Sequence, residues 1–349
     1  MIISVTEVVN TYSQQEDDMI TMAEIARLTG VSQPTVSRVL NGNKTVNPEI
    51  REKVLACARE HDFQPNVMAQ SLVGSRTKLI GVIVTDIGNA FFADLVKYIE
   101  QEAGKAGYSI ILFNTGYDAE HEKECLDVVR RYRVDGLVLV PVDENAVQWR
   151  SMVRKLEIPV VVITRKASGV DSYYLAHDEA GALAGRHLAE QGYEEYLFLG
   201  NTRDMKYRGF VDALAKIRPD FGAHLTVITT KKTEEIRQAL EEHFKKTDHC
   251  TGIFAYNDRR AIQALGILEE MGIRIPEQAG VIGFDNTYIC EYLYPRLSSI
   301  AQPIEEMAAL TVQRLIHRLD HPDDHSVIDH PLHAELISRE SSLRKRGEK

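Results

Sequence analysis

Gln33, Thr35, Ser37 and Arg38 place an amide, two hydroxyls and a guanidinium within six positions of one another. An amide can pair with an adenine edge, a guanidinium can span guanine O6 and N7, and hydroxyls serve phosphates or bases. A second set stands at the ends of short apolar runs: Asp86, Arg165, Asn257 with Asp258, and Asp285 with Asn286. Those groups suit the hydroxyls of a polyol, although each alone reads equally well as strand-end or helix-cap chemistry. Neither G-x-G-x-x-G after the first strand nor G-x-x-x-x-G-K-[ST], G-x-S-x-G or H-E-x-x-H occurs. Their absence argues against a dinucleotide enzyme, an NTPase, an α/β-hydrolase and a zincin. No cofactor and no metal are expected.

The first set needs a helix to carry it. Thr21 and Glu24 have the spacing of a capping box, predicting a helix over 22–28. Thr29, Gly30 and Val31 make a turn in which glycine takes the positive φ, and Ser32 with Pro34 opens a second helix over 33–40. Asn47, Pro48 and Glu49 start a third. Ile25, Ala26, Val31, Val36, Leu40, Ile50, Val54 and Ala58 recur at spacings that bury a shared face, the plan of a helix-turn-helix unit.

The second set needs parallel sheets. Strands are expected over 79–85, 109–114, 136–142, 160–164, 196–199, 225–229, 252–255 and 280–283, and helices over 90–106, 119–132, 179–191, 233–246, 259–271 and 304–319. Repeated β-α alternation predicts an α/β body, here two side-by-side parallel sheets that bind ligands at the carboxyl ends of their strands. The 349 residues carry a net charge of −10, which taken whole argues against a nucleic-acid partner. Residues 20–78, however, hold eight basic and five acidic side chains, so a small basic segment precedes an acidic body. The four cysteines (57, 125, 250 and 290) form no C-x-x-C pair and read as reduced thiols. With no bilayer-length apolar run and no basic leader, a cytoplasmic protein without a membrane partner is expected.

The run 25–41, with Val46 to Arg51 and Phe63 to Asn66, closely resembles the DNA-binding headpiece of the lactose-repressor/galactose-repressor (LacI/GalR) family. That resemblance implies DNA contacts at Thr21, Ser32, Gln33, Pro34, Thr35, Ser37, Arg38 and Asn41. It further implies a hinge helix bearing Asn66, Ala69, Gln70 and Leu72, with Leu72 as a wedge in the minor groove. Gln70 stands where many members have Arg. The resemblance continues through Gly88 to Leu95, Val134 to Leu137, Phe254 to Asp258, Val281 to Asn286, Pro295 to Ile300, and Gln302-Pro303. It implies a periplasmic-binding-protein-like clamshell of two parallel-sheet α/β subdomains that dimerises and takes a small effector. Phe91 and Phe92 would line the cleft, Asn257 and Asp285 would bind effector hydroxyls, and Gln302 would sit at the crossover.

Two departures bear on the effector. Lys206 stands where the family's arginine usually precedes a Gly-aromatic pair, here Gly209-Phe210. Thr229 to Lys232 replace an aromatic stacking residue, and lysines there suit a phosphate or carboxylate. An anionic sugar derivative contacted by Lys206 and Arg165 follows as an expectation; a solvated lysine turn is the alternative.

The domains implied are an N-terminal extension (1–18), a helix-turn-helix unit (19–64), a hinge and linker (65–78), an effector-binding and dimerisation domain of two interleaved subdomains (79–340) and a C-terminal tail (341–349). Met19 is the expected start. The histidines at 317, 321, 325, 330 and 333 read as a surface loop, and with no leucine heptad a homodimer is expected over a tetramer. The function implied is a repressor of carbohydrate-utilisation genes, acting on a near-palindromic double-stranded DNA operator. A solute-binding module and a sugar-modifying enzyme are the alternatives.

Overall fold

A computed structural model describes residues 20–40, 45–63, 76–143 and 149–344. Its two compact units are Met1–Thr77 and Lys78–Lys349. In the first, α1 (Met22–Thr29), α2 (Gln33–Leu40) and α3 (Pro48–Glu60) pack around Ile25, Ala26, Val36, Val39, Val54 and Ala58. The capping box forms: the Thr21 hydroxyl accepts the Glu24 N–H at 3.2 Å, and the Glu24 carboxylate accepts the Thr21 N–H at 2.7 Å. Gly30 ends α1 at φ 69°, the left-handed value its missing side chain permits. The hinge expected over 66–72, Asn41 and the expected extension to residue 18 lie outside the described residues.

The second unit alternates strands and helices: β1 (Leu79–Val84), α4 (Ala90–Lys105), β2 (Ser109–Asn114), α5 (Ala119–Arg131), β3 (Gly136–Leu139), α6 (Trp149–Arg154), β4 (Val160–Thr164) and β5 (Asp171–Leu175). Then follow α7 (His177–Glu190), β6 (Glu195–Leu199), α8 (Met205–Ile217), β7 (Leu225–Ile228), α9 (Thr233–Lys246), β8 (Thr251–Ala255), α10 (Asp258–Glu270) and β9 (Ala279–Asp285). The chain closes with β10 (Ser298–Ala301), α11 (Ile304–Asp320), β11 (Asp329–Leu332) and β12 (Glu335–Ile337).

Two six-stranded sheets result, ordered β11-β5-β4-β3-β1-β2 and β12-β10-β9-β8-β6-β7. Among the described residues every pairing is parallel except β10 with β12. The chain therefore passes between lobes three times: between β5 and α7, between β10 and α11, and between β11 and β12. Helix α11 returns to the first lobe, where Met307, Ala308, Val312 and Leu315 join the core of Ile80, Val82 and Leu95. Its anchor to β5 is ionic. Asp171 accepts from Arg314 at 2.9 Å and Arg318 at 2.8 Å, and together these guanidiniums and the Ile328 N–H hold its carboxyl below the usual range against the opposing effect of burial.

All eight expected strands and six expected body helices are present, with ends displaced by at most three residues. Strands β5, β10, β11 and β12 and helices α6 and α8 are additions. Strand β5 begins with a charged residue that tertiary ion pairs neutralise, so it shows no apolar run.

Two expectations are corrected. Residues 341–344 are not a tail: Ser341 and Ser342 are fully buried, the Ser341 hydroxyl donates to the Val281 carbonyl at 2.6 Å, and the Ser342 hydroxyl lies 2.8 Å from His187 Nε2. Their short polar side chains satisfy buried groups of the second lobe, which a reading of composition cannot see. Nor do the histidines share a loop, since His317 lies on α11, stacked at 4.3 Å on His321 just beyond it, and His330 lies in β11. Among the described residues no cluster suited to a metal ion occurs.

Candidate functional site

Helices α7 and α8 set the geometry on the second lobe. A Cβ on Gly209 would stand 1.8 Å from the Asp178 carbonyl oxygen, and one on Gly181 would stand 2.0 Å from that of Lys206. Only hydrogen fits at this crossing, and it brings the start of α8 against the start of α7. Asp204 caps α8 by accepting the Lys206 N–H at 2.9 Å.

The carboxyl ends of β1, β4, β8 and β9 open into a cleft of about 700 Å³ between the lobes. Phe91 and Phe92, edge-to-face with centroids 5.1 Å apart, wall it from the first lobe with Asn89, Thr164 and Arg165. Lys206, Tyr256, Asn257 and Asp285 wall it from the second, and the connectors contribute His177 and Gln302. Two strand ends depart from ordinary backbone geometry, with Thr164 at φ 71° and Asp285 at φ 108°. A β-branched residue in that region is rare, and such strain concentrates where a side chain must be aimed.

Asp285 is almost wholly buried and accepts a hydrogen bond from Gln302 Nε2 at 2.7 Å. Burial pushes its carboxyl up to about 7, opposed by the Lys206 ammonium. Lys206 is itself enclosed: Nζ donates to the Tyr256 carbonyl at 3.0 Å and stands 3.6 Å from the Phe284 ring centroid and 4.0 Å from that of Tyr256. Burial lowers its pKa. The His177 imidazole, stacked on Phe284, is pushed down to about 3 by burial and then by Lys206. The floor is therefore one carboxyl, one ammonium and one neutral imidazole in low dielectric, where an incoming hydroxyl exchanges strong hydrogen bonds.

Asp86, Arg165 and Asn257 also line a contiguous outer compartment of about 750 Å³. Asn257 caps α10 through the Arg260 N–H at 3.1 Å, while Asp86 accepts the Gly88 N–H at 3.0 Å and faces Arg259 at 3.7 Å. Asp258 points away from the cleft: its carboxylate accepts from Thr287, Cys290 and Ser299 inside the second lobe. Lys232 pairs with exposed Glu235 at 2.8 Å, a solvated turn, whereas Lys231 lines the outer compartment. The ammonium of Lys206 lines the inner cleft while it is held by the Tyr256 carbonyl and the Tyr256 and Phe284 rings.

Tyr117, which is not among the expected site residues, supplies an aromatic face from the opposite lobe, its ring centroid 6.0 Å from Lys231 Nζ. It stands in a turn before α5 with no motif around it, and only the apposition of the lobes reveals it. Asn89, by contrast, carried an unread signal, an asparagine just before the helix expected from residue 90; it caps α4 by accepting the Phe91 N–H at 3.2 Å.

On the first unit, α2 turns Val36 and Val39 inward and leaves Ser32, Gln33, Pro34 and Arg38 exposed, with Thr35 and Ser37 half-buried. The Ser32 and Thr35 hydroxyls are 2.9 Å apart. Exposed Thr21 is occupied by its capping box.

Residues 21–66 match the lacI family of bacterial regulatory proteins, and residues 186–342 match a periplasmic binding protein-like domain. The ribose operon repressor of Haemophilus influenzae is 30% identical over 88% of this chain and 94% of its own length. The chain belongs to the LacI family. A LacI family transcriptional regulator from Enterococcus faecalis V583, solved with bound ribose, is 32% identical, covers 76% of this chain and 98% of its own, and superposes with a TM-score of 0.65. The lac repressor dimer bound to operator and the anti-inducer ONPF shares the fold, with a TM-score of 0.80 at 24% identity over 93% of this chain and all of its own. As a LacI-family member the chain is a DNA-binding transcriptional repressor with an effector domain, not an enzyme. Among the described residues no helix is long and apolar enough to cross a membrane.

Proposed function

We propose that this LacI-family chain represses carbohydrate-utilisation genes as a homodimer on a near-palindromic operator, and that a sugar-type effector in the interlobe cleft sets its operator affinity. One observation carries the reading: the chain that exposes Gln33 and Arg38 on α2 also encloses a carboxyl, an amide and aromatic walls at the crossovers joining two lobes. Bound ribose in the Enterococcus faecalis regulator and the name of the Haemophilus relative support a sugar. A sugar closing on both lobes changes the angle at three short connectors and so distinguishes two states, which is what linkage to operator binding requires. The sugar-phosphate form of the effector is favoured by the excess of cations along the outer compartment. Operator selection from genomic fragments, with and without sugars, tests the whole reading. A chain beginning at Leu79 that still binds operator, or a full chain that selects none, refutes it.

Arg38→Ala is expected to lower the ratio of specific to non-specific affinity by about 10- to 100-fold at fixed salt, the worth of a lost bidentate guanine contact. An unchanged ratio removes Arg38 from base reading.

The dimer reading draws on an exposed aromatic group, the residues Tyr288, Tyr292 and Tyr294, which are 64%, 81% and 100% exposed. Isolated rings are ordinary on a surface, but three within seven residues suit a partner. Replacing Tyr292 and Tyr294 by Asp is expected to convert dimer to monomer in light scattering; a persistent dimer moves the interface elsewhere.

A further inference from the structure

Around the outer compartment, β6, β7 and β8 each lead into a helix, and each junction brings a cation: Arg203 before α8, Lys231 before α9, and Arg259 with Arg260 in the first turn of α10. The same cavity is lined by two carboxylates, Asp86 and Asp204. Asp204 accepts the Lys206 N–H in the cap of α8, and Asp86 stands 3.7 Å from Arg259, its one ion-pair partner among the described residues. Among the described residues Arg260 donates to neutral groups alone, the Lys231 carbonyl at 2.9 Å and Gln263 at 3.0 Å. Arg203 and Lys231 have no carboxylate partner among the described residues. Burial and the neighbouring Arg259 charge both lower the Arg260 pKa, the signature of cations short of a counter-ion. This concentration of positive charge lies in a body that is acidic overall, which makes a solvated face a poor account of it.

We propose that the outer compartment is a phosphoryl subsite, in which Arg203, Lys231 and Arg259 hold the phosphate monoester of a sugar whose hydroxyls occupy the inner cleft. Three cations converging from separate junctions match a dianion better than a carboxylate, which one guanidinium satisfies. The amino ends of α8, α9 and α10 face the same space and add to the field. Tyr117 closes the compartment from the first lobe, so a phosphate there touches both lobes and competes with Asp86 for Arg259. The anion is thus placed away from buried Lys206.

The proposal rests on the sugar-effector reading, and its test separates the two. Calorimetric titration of the full chain compares D-ribose, D-glucose and D-fructose with ribose 5-phosphate, glucose 6-phosphate and fructose 6-phosphate, with inorganic phosphate as a further probe. The phosphorylated member of a binding pair is expected to bind about tenfold tighter or more, with an advantage that shrinks as salt rises. In a Lys231→Gln, Arg259→Gln double variant that advantage disappears, while the affinity for the neutral sugar stays. A neutral sugar that binds as tightly as its phosphate overturns the subsite and leaves the sugar reading standing. A phosphate advantage that survives the double variant also overturns it. Binding by none of these probes counts against the sugar reading itself, and the subsite falls with it.

Discussion

Gly209→Ala is expected to destabilise the protein by about 3 kcal/mol or more, a fall of about 6 °C or more in melting temperature. The added Cβ would stand 1.8 Å from the Asp178 carbonyl oxygen, and backbone on that side cannot rotate away as a side-chain end could. The reciprocal contact of Gly181 with the Lys206 carbonyl, at 2.0 Å, blocks the simplest relaxation, a slide of α8 along α7. The damage should reach the cleft, because Lys206 lies one turn from Gly209 and is held between Tyr256 and Phe284. Gly266→Ala is the matched control. No heavy atom stands within 4 Å of its Cβ position in α10, so better helix propensity should leave stability unchanged or raise it by up to about 1 kcal/mol. Equal melting temperatures for the two variants would show that the α7–α8 crossing is not close-packed.

Asp285→Asn is expected to weaken sugar binding about 100-fold while changing how stability depends on pH. The carboxyl titrates at about 7 in the fold against 3.8 for the free group, raised by burial. The folded state therefore keeps a proton that the unfolded chain releases. That contribution is complete below about pH 4 and is lost as pH rises to about 7, up to about 4 kcal/mol in all. An asparagine fills the same space with no charge to desolvate, so the variant should gain stability relative to the parent across this window and hold the gain above it. Sugar affinity of the parent should instead rise around pH 7, where the folded carboxyl ionises and becomes the stronger acceptor. Melting curves between pH 4 and 8 that run parallel for parent and variant would falsify the buried-carboxyl account.

The lesson of the sequence lies in which contacts were local. Thr21 with Glu24, Gly30, and Asn47 with Pro48 act on neighbours within four residues, so the first two helices of the first unit and the start of the third were readable to within a residue or two. Strands such as Val160–Thr164 announced themselves because both faces of a parallel sheet are buried and the run is continuously apolar. Strand β5 escaped because Asp171 opens it, and the arginines that make that carboxylate tolerable are more than 140 residues downstream. Ser341 and Ser342 read as tail for the same reason: their partners, Val281, His187 and Ser298, are far away in sequence.

The candidate site divides along the same line. Phe91, Phe92, Asn257, Asp285 and Gln302 were legible from their places at strand ends and in family motifs, and the expected parallel sheets do bring them to one cleft. Their electrical states were not legible. Whether Lys206 offers its ammonium to a ligand or folds it between two rings, whether Asp258 faces the cleft or the core, and which aromatic stands over Lys231 depend on groups from separate elements and both lobes. The sequence by itself determined the regulator's two-part plan and the segments of each part, because capping and periodicity act over a few residues. Only the tertiary structure decided which charges are spent and which remain free, because burial and pairing are set by atoms that chain order does not bring together.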